Sequence, residues 1–273
     1  MGSLVGGYDR GKRVEGHPRP LEKEEGVRSE LDKVLTFNQK LFRGDCMDIL
    51  PAIENASIDM ILTDPPYGIS FKSGKQRGST REGKKEIRVR ESSYFRQIEN
   101  DATIPLEYLR ELYRVLKPGG GVYIFSHWRT IGDLQSQLLI EGFTLKNLIV
   151  IAKTNHGMGD LKGSYAPKHE LVSFCSKGRH VLDNSQGRIS DVLPGVVIYS
   201  GRKHLHPNEK PLSWLTPFIE RSSHEGDVIL DPFMGSGSVG EACKRLGRRF
   251  IGVELDPEYF SVAVKRLYGE DER

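Results

Sequence analysis

The chain has 273 residues, of which 37% are hydrophobic and 28% are charged, and its formal net charge is +3. This aliphatic content excludes a wholly disordered chain, and no apolar run approaches the ~18 residues that a membrane span requires. The three cysteines are widely spaced and form no Cys-x-x-Cys pair, which predicts reduced thiols in a cytoplasmic protein and excludes a zinc site or disulfide framework.

Residues 1–35 are rich in glycine and in balanced charge, and they show almost no hydrophobic periodicity. They also lack the apolar segment of a secretory signal peptide. We therefore interpret residues 1–35 as a disordered or loosely attached extension, and we expect one globular domain over residues 36–273.

The pattern of this domain alternates predicted strands with predicted helices. Strands are expected at 41–44, 59–63, 122–125, 145–152, 171–175, 228–230 and 249–253. Helices are expected at 46–54, 105–116, 131–140, 212–221, 237–245 and 257–267. Asp45 is predicted to be the N-cap of the first helix. The alternation predicts an α/β fold, doubly wound, with a mostly parallel sheet.

A basic segment follows the second predicted strand. Its central part, from Lys72 to Arg90, carries a charge of +6, so the rest of the chain sums to −3. Its basic residues are Lys72, Lys75, Arg77, Arg81, Lys84, Lys85, Arg88 and Arg90. With three glycines and few large apolar residues, the segment at 69–100 is expected to be a mobile loop. It is interpreted either as a solvated surface loop or as an arm that neutralises nucleic-acid phosphates.

A carboxylate, two prolines and an aromatic ring precede this segment, in the order Asp64-Pro65-Pro66-Tyr67. Two consecutive prolines fix φ and remove two backbone donors, which leaves carbonyl oxygens to accept hydrogen bonds. Asp64 and the Pro65 carbonyl suit both protons of a planar amino group, while Tyr67 stacks on the attached ring. A rigid turn at the end of a strand is the alternative.

A second cluster, at residues 231–238, follows another predicted strand and begins a predicted helix. Gly235 and Gly237 permit a tight turn and the close approach of a nucleoside to the backbone. Glu254 ends the next predicted strand, where nucleotide-binding α/β units place the acid that accepts hydrogen bonds from ribose hydroxyls. The alternative is an ordinary turn, and the missing third glycine argues against a dinucleotide site.

Both clusters are predicted at the carboxyl ends of strands, where open α/β sheets bind ligands. In its motifs and their order, the sequence resembles S-adenosylmethionine-dependent amino-methyltransferases that act on DNA, of the β group in which the catalytic motif comes first. The resemblance covers roughly residues 41–267. Its motifs are Asp64 to Tyr67, Lys117 to Gly120, His169-Glu170 with Lys177-Gly178, His206 to Pro211, Asp231 to Ser238, and Gly252 to Glu254.

The resemblance implies a circularly permuted, Rossmann-like methyltransferase fold with S-adenosylmethionine as its cofactor. The implied catalytic residues are Asp64, Pro65, Pro66 and Tyr67. The implied cofactor-binding residues are Asp45, Lys210, Asp231, Phe233, Gly235, Ser236, Gly237, Ser238 and Glu254. Among these, Glu254 is expected at the ribose hydroxyls and Asp45 near the adenine. Lys210, with Ser236 or Ser238, is expected at the amino-acid end.

Two positions depart from the family's pattern. Ser238 replaces the usual threonine and keeps a hydroxyl group. Ile151-Ala152 stands where the family often has an aromatic-acidic pair, which leaves open the ring that forms the second face of the target-base pocket. The candidates for this ring are Trp128, Tyr165 and Tyr199.

The resemblance further implies methyl transfer, without a metal, to the exocyclic amine of a base extruded from double-stranded DNA. In the family, Asp at the first motif position usually accompanies adenine N6 and Ser accompanies cytosine N4, so Asp64 favours adenine. Target recognition is expected within residues 153–206, although charges on sheet connections are the alternative interpretation there. The basic residues of that region are Lys162, Lys168, Arg179, Arg188, Arg202 and Lys203.

Two other functions remain open at this stage. One changes the acceptor to cytosine N4, to an amino group of RNA or to a glutamine side chain. Family members that modify guanine or glutamine usually carry Asn first in the motif, and the basic segment disfavours a protein substrate. The other is a catalytically silent nucleic-acid-binding subunit. A bacterial or phage-encoded cytoplasmic protein is expected from the family, with no membrane association, and homodimer formation is left open.

Overall fold

The computed structural model describes residues 38–67, 106–156, 162–195 and 209–269. The extension predicted at 1–35 and the basic segment at 69–100 lie outside these residues. So do Tyr199, Arg202, Lys203 and the His206-Pro207-Asn208 part of the motif that contains Lys210.

Eight strands and six helices make up the described part of the chain. The strands are β1 (Gln39–Arg43), β2 (Ile58–Thr63), β3 (Leu116–Ser126), β4 (Thr144–Lys153), β5 (His169–Ser176), β6 (Val192–Gly195), β7 (Val228–Asp231) and β8 (Arg249–Glu254). The helices are α1 (Cys46–Ile49), α2 (Tyr108–Val115), α3 (Ile131–Ile140), α4 (Leu212–Ser222), α5 (Ser238–Arg245) and α6 (Pro257–Tyr268). A 3-10 turn (Leu50–Ala52) follows α1.

All eight strands belong to one sheet, in the order β1-β8-β7-β2-β3-β5-β4-β6. Neighbouring strands are parallel, except that β5 runs antiparallel to both β3 and β4. The predicted α/β fold with a mostly parallel sheet is therefore confirmed. Because β2 and β7 are neighbours, the chain segments that follow them start side by side.

Helices cover both faces of the sheet. One hydrophobic cluster packs the sheet against α4, α5 and α6 and includes Met60 and Leu62 of β2. The other packs it against α1, α2 and α3 and includes Ile61. All three β2 side chains are completely buried. This arrangement explains the apolar run from Met60 to Leu62, because that part of the strand is covered on both faces and has no solvent-facing position.

Three differences from the predicted elements are larger than a shift of a few residues at one end. The helix predicted at 46–54 ends at Ile49 and continues as the 3-10 turn, because Pro51 has no N–H to extend an α-helix. Strand β3 begins at Leu116 and includes Gly119, Gly120 and Gly121, whereas the predicted strand began at residue 122. Strand β6 was not predicted. It contains Pro194 and lies at the edge of the sheet, where proline is tolerated.

Candidate active site

Residues 64–67 follow β2 directly and lie beside the end of β7. The parallel pairing of the two strands aligns Ile61 with Leu230, so their carboxyl ends coincide. The Thr63 hydroxyl donates a hydrogen bond of 2.7 Å to Oδ1 of Asp231 and joins the two ends. The two clusters predicted from the sequence therefore occupy the same edge of the sheet.

Two donors hold the carboxylate of Asp64. The Tyr67 hydroxyl donates to Oδ1 at 2.6 Å, and Nζ of Lys210 donates to Oδ2 at 2.5 Å. The side chains of Lys210 and Asp64 are only 13% and 27% exposed. Since each carboxylate oxygen can accept a second hydrogen bond, Asp64 keeps acceptor capacity for the protons of an amino group.

The Tyr67 phenol is a neutral donor in this arrangement. Burial of the side chain, together with the nearby carboxylates of Asp64 and Glu170, raises the pKa of Tyr67 well above its ordinary range. A neutral phenol orients the Asp64 carboxylate and adds no second negative charge to the site.

Lys210 reaches this cluster from the segment that precedes α4. Its ammonium lies 5.0 Å from the centroid of the Phe125 ring and 5.8 Å from that of Tyr67. Aromatic faces attract cations, so the two rings and the carboxylate together hold a largely buried positive charge. The sequence predicted Lys210 at the amino-acid end of the cofactor, whereas its hydrogen bonds in this structure go to Asp64 and Tyr67.

Asp231 is a buried carboxyl group at the end of β7. Its Oδ1 accepts hydrogen bonds from the Thr63 hydroxyl and from the backbone N–H of Phe233, at 2.7 and 3.1 Å. Burial, together with the nearby carboxylates of Asp64 and Glu254, raises the pKa of Asp231 to about 7 even though both hydrogen bonds lower it. The side chain therefore titrates near neutral pH.

We expect this group to make the free energy of unfolding depend on pH. The pKa of Asp231 is about 7 in the folded protein against an ordinary value of 3.8, so the folded state binds the proton more tightly. The stabilisation that comes from protonated Asp231 is complete below the pKa of the group in the unfolded state. It is lost as the pH rises through the pKa of the group in the folded state. Relative to Asp231→Asn, the wild type should lose about 2–3 kcal/mol between about pH 5 and about pH 8, as measured by urea unfolding.

The control for this experiment is Asp133→Asn, because Asp133 is an exposed carboxylate in the first turn of α3. This variant should keep the pH dependence of the wild type. Parallel pH profiles for the wild type and Asp231→Asn would show that the buried carboxyl group is not the source of the dependence.

The loop between β7 and α5 turns sharply at two glycines. Gly235 and Gly237 have φ values of +53° and +81°, which other residues rarely adopt. A Cβ on Gly237 would also lie 3.1 Å from Cβ of Ala263 in α6, whereas one on Gly235 would meet no atom within 4 Å. The loop is thus closely packed at Gly237 and open above Gly235.

Glu254 ends β8 and holds the loop between β7 and α5 by a hydrogen bond. Its Oε2 accepts a hydrogen bond from the N–H of Gly235 at 2.9 Å, and its Oε1 accepts one from the N–H of Asp256 at 2.7 Å. Burial raises the pKa of the Glu254 carboxyl group. The N–H of Gly44, at the end of β1, donates to the Glu254 carbonyl at 3.0 Å. Asp45 comes next, so the two predicted acids lie at adjacent strand ends.

Asp45 and Phe233 lie on the same side of the sheet. Asp45 is the N-cap of α1, as predicted, and its exposed side chain accepts a hydrogen bond of 2.9 Å from the N–H of Met47. The Phe233 ring packs edge-on against Tyr108, with ring centroids 5.0 Å apart. Both rings join the hydrophobic cluster that contains Cys46, the residue after Asp45.

Ser236 and Ser238 face an arginine that the sequence analysis missed. Nη1 of Arg266 donates to the hydroxyls of Ser238 and Ser236 at 2.9 and 3.3 Å, and Nη2 donates to Glu209 at 2.7 Å. The Arg266 side chain is 5% exposed. It therefore connects the glycine loop to the residue before Lys210. In the sequence, Arg266 is one of several charged residues on an amphipathic helix, and no local signal distinguishes it.

Of the three rings that the sequence suggested for the target-base pocket, Trp128 and Tyr165 are among the described residues, and neither stacks directly on Tyr67. His127, which was not selected, stacks on Tyr67 with centroids 6.2 Å apart and an interplanar angle of 28°. Trp128 is 59% exposed and Tyr165 is 100% exposed. Four of the six basic residues predicted for target recognition are described, and all four are exposed: Lys162, Lys168, Arg179 and Arg188.

The cysteines are buried free thiols, and burial raises the pKa of Cys46 and of Cys175 to about 12. Such thiols are unreactive at physiological pH. Within residues 38–67, 106–156, 162–195 and 209–269, no three His, Cys, Asp or Glu side chains are grouped so as to hold a metal ion. None of the helices in these ranges is both long enough and apolar enough to cross a membrane.

Comparison with known proteins places these residues in context. A family model described as DNA methylase matches residues 58–265. The type II methyltransferase M2.DpnII of Streptococcus pneumoniae is 32% identical over 247 residues, which cover 85% of this chain and 90% of that protein. The type II methyltransferase M.HpaI of Haemophilus parainfluenzae is 30% identical over 254 residues, which cover 86% of this chain and 76% of that protein.

Solved structures share the architecture. The crystal structure of M1.HpyAVI in complex with SAM aligns with a TM-score of 0.62 at 26% identity, over 84% of this chain and 100% of that one. The PvuII DNA methyltransferase, which is cytosine-N4-specific, aligns with a TM-score of 0.65 at 18% identity, over 87% of this chain and 89% of that one. This second likeness concerns the fold alone.

Proposed function

The chain belongs to the DNA methylase family, and we propose that within this family it is a site-specific enzyme that methylates N6 of adenine in double-stranded DNA. The observation that carries the proposal is the Asp64 carboxylate, held by Tyr67 and Lys210 at the end of β2 beside the glycine loop. The choice of adenine follows from the family tendency for Asp at this motif position to accompany adenine.

S-adenosylmethionine is the cofactor of this family, and when bound it supplies an electrophilic methyl group on a sulfonium. The residues of this chain fit it. Both oxygens of the Glu254 carboxylate keep a lone pair for ribose hydroxyls beyond their backbone donors. The neighbouring backbone at Gly235 has open space above it, which permits the close approach of a nucleoside.

Asp64 would act on the acceptor amine. The lone pair of an exocyclic amine is delocalised into the base, which makes the nitrogen a weak nucleophile. Hydrogen bonds from its two protons to Asp64 and to the Pro65 carbonyl favour a pyramidal nitrogen with a localised lone pair. A carboxylate in this position does not remove the proton before transfer, so the proton leaves the methylated nitrogen afterwards.

Tyr67 and Lys210 would contribute through Asp64. Their hydrogen bonds fix the carboxylate in one orientation, and the partly buried surroundings reduce competition from water. Most of the rate gain in such a site comes from holding the amine in line with the methyl group. The Tyr67 ring would also stack on the extruded base.

DNA would be held by the basic segment that follows the Asp64 motif in the sequence. The basic residues between Lys72 and Arg90 give their segment a charge of +6, which suits neutralisation of phosphates and release of counterions. We assign target recognition to residues 153–206. The curated relatives come from bacteria, which supports a bacterial or phage-encoded enzyme that acts in the cytoplasm.

The test is methyl transfer from labelled S-adenosylmethionine to DNA that carries no methylated bases, followed by nucleoside digestion and mass spectrometry. We expect N6-methyldeoxyadenosine. N4-methyldeoxycytidine as the product would overturn the choice of adenine and leave the reaction class intact. Binding of S-adenosylmethionine and DNA without any methyl transfer would instead identify a silent nucleic-acid-binding subunit.

A further inference from the structure

A short turn after β3 lies beside the group formed by Asp64, Tyr67 and Lys210, which we call the Asp64 cluster. Strands β2 and β3 pair in parallel, with Thr63 aligned to Ile124, so the residues after both strands emerge at the same edge. The His127 carbonyl accepts hydrogen bonds from the N–H groups of Thr130 and Ile131, at 3.0 and 2.9 Å. The turn is therefore held firmly at the start of α3.

Aromatic rings form a row along this turn, from the Asp64 cluster to the surface. Tyr67 stacks on His127, and the His127 ring contacts Trp128 with centroids 5.6 Å apart and an interplanar angle of 38°. The Arg129 guanidinium lies over the Trp128 ring, 5.1 Å from its centroid.

Trp128 is unusually accessible for a tryptophan. It is 59% exposed, whereas Trp214, the other tryptophan of the chain, is 6% exposed. A large ring held at the surface by a rigid turn, with a cation on it, offers the two contacts that unpaired nucleic acid prefers. These are a flat face for a base and a positive charge for the adjoining phosphate.

We propose that Trp128 stacks on a nucleobase adjacent to the target base, with Arg129 at the neighbouring phosphate. This inference rests on the proposed function, because it assigns a second contact to the same DNA. Since Trp128 is linked to Tyr67 through the His127 ring, one base does not stack on both Trp128 and Tyr67. Extrusion of the target base breaks the stacking of its neighbours, and Trp128 replaces part of that lost contact.

Tryptophan fluorescence tests this assignment directly, because each tryptophan can be isolated by one substitution. In Trp214→Phe, Trp128 is the remaining tryptophan, and its emission should be strongly quenched by single-stranded DNA of mixed sequence. In Trp128→Phe, the remaining tryptophan is the buried Trp214, and the same DNA should change its emission little. Fluorescence anisotropy of labelled DNA reports binding independently in both variants.

Affinity measurements in the otherwise unchanged protein complete the test. Trp128→Ala should weaken DNA binding about 5- to 100-fold and leave S-adenosylmethionine binding unchanged. Arg129→Gln should reduce the salt dependence of DNA binding by about one released counterion. Ile140→Ala is the control, because Ile140 is 74% exposed at the far end of α3 and its loss should affect neither ligand.

Two results would be decisive against the proposal, and they differ in what they overturn. DNA binding by Trp214→Phe with unchanged Trp128 emission overturns the stacking site and leaves the proposed function intact. Absence of both DNA binding and methyl transfer in the wild-type protein overturns the proposed function itself.

Discussion

Replacement of Asp64 with asparagine should lower the rate of methyl transfer to DNA by about 10²- to 10³-fold, with little change in the affinity for S-adenosylmethionine. The variant loses the negative charge. Its amide NH₂ is a donor, so it cannot accept a hydrogen bond from the amine of the target base as the carboxylate would. The variant also leaves the ammonium of Lys210 without its charged partner, and water compensates poorly because the Lys210 side chain is only 13% exposed. Transfer of a labelled methyl group and calorimetric binding of the cofactor measure the two effects separately.

Asp59, near the start of β2, provides a matched control for Asp64, which follows the end of that strand. Its Oδ1 accepts from Nζ of Lys117 at 2.6 Å and its Oδ2 accepts from the N–H of Val228 at 2.9 Å, so it too is held by a lysine. Asp59→Asn should cost about 1–3 kcal/mol of stability and retain activity. Equal activities of Asp64→Asn and the wild type would contradict the assigned role of the carboxylate.

The parts of the fold that the sequence predicted are those with strong local signals. Strand β2 contains an apolar run that stops before Asp64-Pro65, and α1 begins after Asp45, its predicted N-cap. Such signals are local because the periodicity and the capping hydrogen bonds involve residues close in sequence. The placement of both clusters at the carboxyl ends of strands followed from a general rule, that open α/β sheets bind ligands there. The pairing of β2 with β7 did not follow from the sequence.

The parts that were missed depend on contacts between distant residues. The reversed direction of β5 leaves no trace in its own apolar pattern, because strands of either direction can be buried on both faces. Strand β6 is four residues long and contains Pro194, so its pattern is too short to predict.

Two site residues were missed for the same physical reason. Arg266 is recognised as buried only when its partners Ser238 and Glu209 are brought together from distant segments. His127 becomes part of the site only through the pairing of β2 with β3. Asp64 and Glu254, by contrast, were selected because each carboxylate follows or ends a predicted strand, where open α/β sheets bind ligands. Their chemical roles stay predictions.

Glu254→Gln should weaken S-adenosylmethionine binding by about 10- to 100-fold, while the protein remains folded. The carboxylate accepts from the N–H groups of Gly235 and Asp256, and each of its oxygens keeps a lone pair for a ribose hydroxyl. Glutamine has a single acceptor oxygen, and its NH₂ group would face a backbone N–H or a ribose hydroxyl as a second donor. Because burial raises the pKa of Glu254, cofactor binding should be measured by calorimetry on the alkaline side of neutral, since a higher pH favours the ionised wild-type group.

The adjacent acid separates a specific contact from a general effect of negative charge at this edge of the sheet. Asp256 is the N-cap of α6, where its side chain accepts from the N–H groups of Glu258 and Tyr259. Asparagine caps helices as well as aspartate does, so Asp256→Asn removes a neighbouring charge and keeps the local structure. If both variants bind S-adenosylmethionine as the wild type does, Glu254 is not at the ribose. If both variants weaken binding equally, the effect comes from the general negative charge at this edge of the sheet and not from a hydrogen bond accepted by Glu254.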